Sequence, residues 1–134
     1  MSLVKLLPAW FHAVADYAVG ILLIVGALAT TSAPDKAVAL GVVVGVVVII
    51  VSLLTKYPLG LLKVLPFPVH SAGDYLAALL LIAGPFALDI DGSSGGLTAF
   101  YVVMGVAVLA VSLITNYQYS PKRQPHPGPS AVTA

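Results

Sequence analysis

The stretch FHAVADYAVGILLIVGAL, from Phe11 to Leu28, returns as VHSAGDYLAALLLIAGPF, from Val69 to Phe86, and this repetition decides the architecture. His12, Asp16 and Tyr17 fall on His70, Asp74 and Tyr75 at an offset of 58 residues. A second match follows: VSLLTKY from Val51 aligns with VSLITNY from Val111, placing Ser52, Thr55 and Tyr57 on Ser112, Thr115 and Tyr117 at an offset of 60. Each unit holds two long apolar runs. A pair of spans returns the chain to the side it started from, so the two units run parallel, related by a pseudo-two-fold axis along the membrane normal. The expectation is an all-α, four-helix transmembrane bundle of two parallel two-helix repeats, about 9–57 and about 67–117.

Composition supports the bilayer as solvent. Of 134 residues, 60% are hydrophobic and 8% charged, and mean hydropathy is +1.06; a water-soluble domain is near one quarter charged. Spans are expected at about 9–29, 37–54, 69–88 and 97–115, each near the roughly 20 residues that cross about 30 Å of hydrocarbon. The Val-rich second run reads as helix because backbone polar groups in lipid must be satisfied within the segment. Leu59 to Leu65 is too short to span and is expected at the interface. The segment 118–134, rich in Pro, is expected to be disordered, so that 1–117 forms the membrane domain. With formal net charge +1 and no Cys, a nucleic-acid binder, a disulfide scaffold and thiol chemistry are excluded.

Lys5, Lys56, Lys63, Lys122 and Arg123 fall on one side of the bilayer, against Lys36, Asp35, Asp89 and Asp91 on the other. This asymmetry places both termini in the cytoplasm. A signal-peptide reading of the first run fails, because that run is long, contains His12 and Asp16, and recurs inside the chain.

Ionisable groups inside a span are costly and face a bundle interior or a cavity. His12 with Asp16, and His70 with Asp74, stand four residues apart, one turn along one helix face. Both pairs lie in the cytoplasmic half, where Ser52, Thr55, Ser112 and Thr115 also arrive, with Tyr17 and Tyr75 beside the carboxylates. Three chemistries remain open from sequence. Each Asp can accept hydrogen bonds from neighbouring helices and fix bundle register. Alternatively, His12 and His70 ligate a b-type haem, or join Asp16 and Asp74 around a divalent metal. Third, the groups relay protons or ions, although the outer half of the spans supplies no ionisable residue to complete a path.

Other features read as packing or boundary signals. Trp10, Tyr57, Tyr117 and Tyr119 suit an aromatic belt; Gly41 and Gly45, with Gly105 matching Gly45, suit close helix packing, as do Gly20 and Ala78. Lys56 and Lys63 suit lipid phosphates, Pro8 and Pro68 a first helical turn, and Pro85 a helix stop. His126 reads as solvated. No phosphate loop, nucleophile elbow, zincin motif or hydrolase triad occurs. The reading is a non-enzymatic membrane protein, structural or accessory to a membrane assembly or homo-oligomer, with metal or haem binding as the alternative.

The His/Asp spacing, the Gly84-Pro85-Phe86 step and the link LLTKYPLGLLKVLPFPVH, from Leu53 to His70, resemble the SPW-repeat family of small bacterial multi-pass membrane proteins. The likeness runs to Tyr117. Gly84-Pro85-Phe86 and Gly26-Ala27-Leu28 stand where the Ser-Pro-Trp tripeptide of the family would stand. The resemblance implies a four-span protein of the bacterial inner membrane, and no activity or ligand.

Overall fold

The computed structural model describes residues 3–117; the expected disordered tail 118–134, with Tyr119, Lys122, Arg123 and His126, lies outside them. Among the described residues there are four helices: α1 (Ala9–Ala29), α2 (Asp35–Leu54), α3 (Phe67–Ala87) and α4 (Gly95–Ile114). All four are long and apolar enough to cross a membrane, and no strand is present among the described residues. The protein is an all-helical membrane bundle.

Two tight hairpins, α1–α2 and α3–α4, pack more loosely against each other. Small residues set the tightness within each hairpin. A Cβ at Gly45 would lie 2.7 Å from the Gly20 carbonyl oxygen, and one at Gly20 would lie 3.0 Å from that of Gly45. In the second hairpin, a Cβ at Gly105 would lie 3.0 Å from the Ala78 carbonyl oxygen, at the equivalent crossing. Backbones meet there because no side chain stands between them. Toward the end holding the short turns, Leu23, Ala27, Val44, Leu81 and Tyr101 form a dry core. The Tyr101 hydroxyl, which would be stranded in it, donates to the Ala37 carbonyl at 2.6 Å.

The opposite end, where α1 and α3 begin and α2 and α4 finish, is closed by backbone pairing. Leu61 and Leu62 donate their N–H groups to the Leu53 carbonyl, and Val64 and Leu65 to that of Leu54. Leu3 and Val4 bond Leu113 in the same way, as do Leu6 and Leu7 to Ile114. Helix C-termini leave carbonyls without intrahelical donors; the link supplies donors to the end of α2, and the segment before α1 supplies them to the end of α4. The N-terminal segment thereby joins the ring as the link does, so the repeat begins before α1. Pro8 and Pro66, extended at ψ 154° and 137°, are the N-cap residues of α1 and α3. Pro66 is therefore the counterpart of Pro8, and Pro68 is an additional proline in the first turn of α3. Pro85 sits two residues before the end of α3, as a stop signal should.

Candidate metal centre

His12 and Asp16 lie on one face of α1 and His70 and Asp74 on one face of α3, within the first two turns. The parallel repeats turn both faces toward the bundle axis, where the four side chains meet. His12 Nε2 lies 3.4 Å from Asp16 Oδ1 and 3.1 Å from Asp74 Oδ2. His70 Nε2 lies 2.9 Å from Asp74 Oδ1 and 3.1 Å from Asp16 Oδ2. Each imidazole thus faces both carboxylates, one from its own helix and one from across the axis. Both His residues are 1% exposed, Asp16 8% and Asp74 7%.

The other ring nitrogens are held by the finishing helices. Thr55 Oγ1 donates to the Val51 carbonyl at 2.7 Å and lies 2.7 Å from His70 Nδ1. Thr115 Oγ1 donates to the Val111 carbonyl at 2.6 Å and lies 2.8 Å from His12 Nδ1. A threonine hydroxyl has one proton, and in both cases the preceding turn takes it. Each Nδ1 must therefore carry the hydrogen and donate it to the threonine oxygen. This assigns the tautomer from the bonding pattern and leaves each Nε2 either a bare lone pair or, in the imidazolium, a second N–H.

Each Nε2 lies at ion-pair distance from both carboxylates, but neither is aligned on one of them as a directed hydrogen bond. Distance and alignment disagree, and alignment decides: below about 120° a hydrogen bond weakens steeply. Two nitrogens and two carboxylates therefore converge, buried, with each imidazole shared between two carboxylates. One ligand atom from each residue lies within 4.8 Å of the other three. The two imidazoles face different oxygens of each carboxylate, so a tetrahedral shell on zinc bonds of about 2.0–2.1 Å would draw the four residues closer together.

Neighbouring hydroxyls complete the carboxylates. Tyr57 donates to Asp16 Oδ2 at 3.1 Å and Tyr117 to Asp74 Oδ2 at 2.7 Å. Ser52 adds a long bond to Asp16 Oδ2 at 3.4 Å; Ser112, equally buried, makes no matching bond. Tyr57 and Tyr117 are 0% and 4% exposed, which corrects their reading as belt aromatics: their hydroxyls have a better acceptor inside than the headgroups outside. Trp10, exposed near the start of α1, keeps a belt position. Burial, together with the Asp16 carboxylate, pushes the Tyr57 phenol above its ordinary range. Burial and Asp74 do the same for Tyr117. Both stay protonated as donors.

Tyr17 does not support the cluster as the sequence suggested. Its hydroxyl donates to the Leu59 carbonyl of the link at 2.9 Å. Tyr75, next after Asp74, points about 100° around the helix from it.

Phe67, missed in the sequence, breaks the symmetry. Its ring lies 4.7 Å from Tyr117, 5.4 Å from Tyr57, 5.5 Å from His12 and 5.8 Å from His70, centroid to centroid. Its counterpart is Ala9, also buried. One phenyl group fills the axis above the histidines, leaving room for only a methyl opposite.

A haem between His12 and His70 does not fit. The imidazole centroids are 5.5 Å apart, and both carboxylates stand within 2.9–3.4 Å of the nitrogens that would bind iron, in the space a porphyrin plane would need. Toward the far end the spans present the dry apolar core, with no Asp, Glu, Lys, Arg or His buried in it among the described residues. No family model, curated protein or solved structure matches the chain.

Proposed function

We propose that this chain is a metal-binding membrane protein that holds one divalent transition-metal ion of the zinc class between its two repeats. His12 and His70 bind through Nε2, and Asp16 and Asp74 through one carboxylate oxygen each. The observation that carries the reading is the buried convergence of both Nε2 atoms, tautomer-set by Thr55 and Thr115, with both carboxylates, one ligand atom of each residue lying within 4.8 Å of the other three. Imidazole with carboxylate suits zinc and its neighbours. A divalent ion with two aspartates and two neutral imidazoles is electroneutral, which suits a site desolvated inside a bilayer.

Hydrogen-bonded imidazole Nδ1 and carboxylates held by tyrosine hydroxyls are the supports that orient metal ligands. The four protein ligands fill a tetrahedral shell, so the ion is structural, joining two loosely packed hairpins. The charge asymmetry favours cytoplasmic termini, and the resemblance to SPW-repeat proteins favours a bacterial inner membrane. An accessory role in a membrane assembly is compatible with this reading.

The test is elemental analysis of protein purified in detergent without chelator or affinity-tag metal, then reloaded with zinc. One zinc per chain, lost in His12→Gln with His70→Gln, is expected. A metal-free protein that takes up no zinc would leave the cluster as a purely ionic knot of imidazolium and carboxylate and overturn the proposal.

A further inference from the structure

The two junctions between hairpins carry equivalent crevices. One, between α2 and α3, has a volume of about 140 Å³; the other, between α1 and α4, about 40 Å³. Their linings correspond through the repeat, so the difference in size lies in the substitutions. In the lining of the larger crevice Gly73 and Ala77 stand where the first repeat has Ala15 and Val19. Leu76 and Val47 also line it, and their repeat counterparts are the smaller Ala18 and Ala107. Smaller residues at Gly73 and Ala77 and larger ones at Leu76 and Val47 accompany the greater volume.

Length and chemistry select the occupant. From His70 to Leu80 the groove follows ten residues of α3, about 15 Å at 1.5 Å per residue. It begins at the link end of the spans and runs toward the bilayer middle, so it matches half of a hydrocarbon core of about 30 Å. Val43, Val47 and Leu76 around it are more than half exposed, so it opens sideways to lipid. Its polar members are engaged: His70 with Thr55 and the carboxylates, Asp74 with Tyr117. Nothing else in the lining seeks a hydrogen bond. An unfilled groove of this size forfeits dispersion contacts along both walls.

We propose that the α2–α3 groove is a binding site for one acyl chain of a phospholipid in the leaflet at the link end. The chain covers the lipid-facing side of Asp74 and His70 and keeps that edge of the cluster dry. This site stands on the groove alone and does not depend on a bound metal.

The full chain in liposomes of phosphatidylethanolamine and phosphatidylglycerol, doped with a phosphatidylglycerol bearing a diazirine along its acyl chain, is irradiated and the adducts mapped by mass spectrometry. Adducts several-fold denser on Val47 and Leu76 than on the exposed Val103 and Val106 of α4 are expected. In Gly73→Ala with Ala77→Val, which installs the residues of the first repeat, that excess should fall to the α4 level. A Cβ at Gly73 meets no atom within 4 Å, so Gly73→Ala alone is the sterically free variant and should lower the excess in part; unchanged labelling of Val103 and Val106, with an unchanged detergent melting temperature, checks that the double swap keeps the fold. Uniform labelling of the wild type, or an excess that survives the swap, would overturn the proposal. So would preferential labelling by an isoprenoid-quinone diazirine in place of the phospholipid.

Discussion

Replacing Thr55 and Thr115 by Val probes the least obvious part of the site, because neither residue is among the four proposed ligands. Valine keeps the shape and removes one oxygen. At each site the loss strands the Nδ1–H now bonded at 2.7 Å and 2.8 Å. The Val51 and Val111 carbonyls lose a proton donor but remain in helices, so the imidazole bears the cost. An orphaned buried donor costs about 1–3 kcal/mol, and tenfold in affinity is about 1.4 kcal/mol. Each single variant should therefore weaken zinc binding by about 10–100-fold, as expected when a supporting partner of a metal ligand is lost. The pair shares one ion, so the double variant should depart from simple additivity. Competition against a chromophoric zinc chelator in detergent measures these affinities. Thr55→Ser and Thr115→Ser keep the oxygen and should stay near wild type. Unchanged affinity in the valine variants, or serine variants as weak as valine, would refute the tautomer argument.

Other consequences follow from the same geometry. Gly45→Ala places a methyl 2.7 Å from the Gly20 carbonyl oxygen and 2.8 Å from Ile24; overpacking of this kind costs about 1–3 kcal/mol and should lower the detergent melting temperature more than Gly73→Ala does. Phe67→Ala should speed zinc release to a chelator, followed by stopped flow, while the ligand set stays in place. Among the six tyrosines, the buried Tyr57 and Tyr117 should not ionise with the exposed ones as absorbance at 295 nm is followed to alkaline pH. Their raised phenols stabilise the fold below the ordinary range of tyrosine, and that contribution is lost as pH rises toward their folded values. The amplitude before unfolding should therefore be unchanged in Tyr57→Phe with Tyr117→Phe.

The spans and the repeat were legible because lipid leaves the backbone few options and because His12, Asp16, His70 and Asp74 are expensive where they stand. The polar pairs announced their own faces on α1 and α3. Helix rotation elsewhere was not legible: the body of α2 reads Val, Gly and Ile, with Ser52 its one polar side chain past Lys36, and in lipid both faces of such a helix are apolar. Tyr57 and Tyr117 therefore read as boundary aromatics, although their place two residues after Thr55 and Thr115 in both repeats is a signal. The repeat itself extends farther upstream than its hydrophobic runs. LVKLLP from Leu3 matches LLKVLP from Leu61, the two segments that pair with the ends of α4 and α2. Extending the match one residue further sets Phe67 against Ala9, the substitution that marks the axis.

X-ray absorption at the zinc edge of protein loaded with one equivalent of metal in detergent tests the central claim most directly. Four nitrogen and oxygen scatterers at about 2.0 Å, with the multiple-scattering signature of two imidazoles that disappears in His12→Gln with His70→Gln, is the predicted result. A six-coordinate oxygen shell without imidazole, or a spectrum indifferent to both histidines, would contradict it.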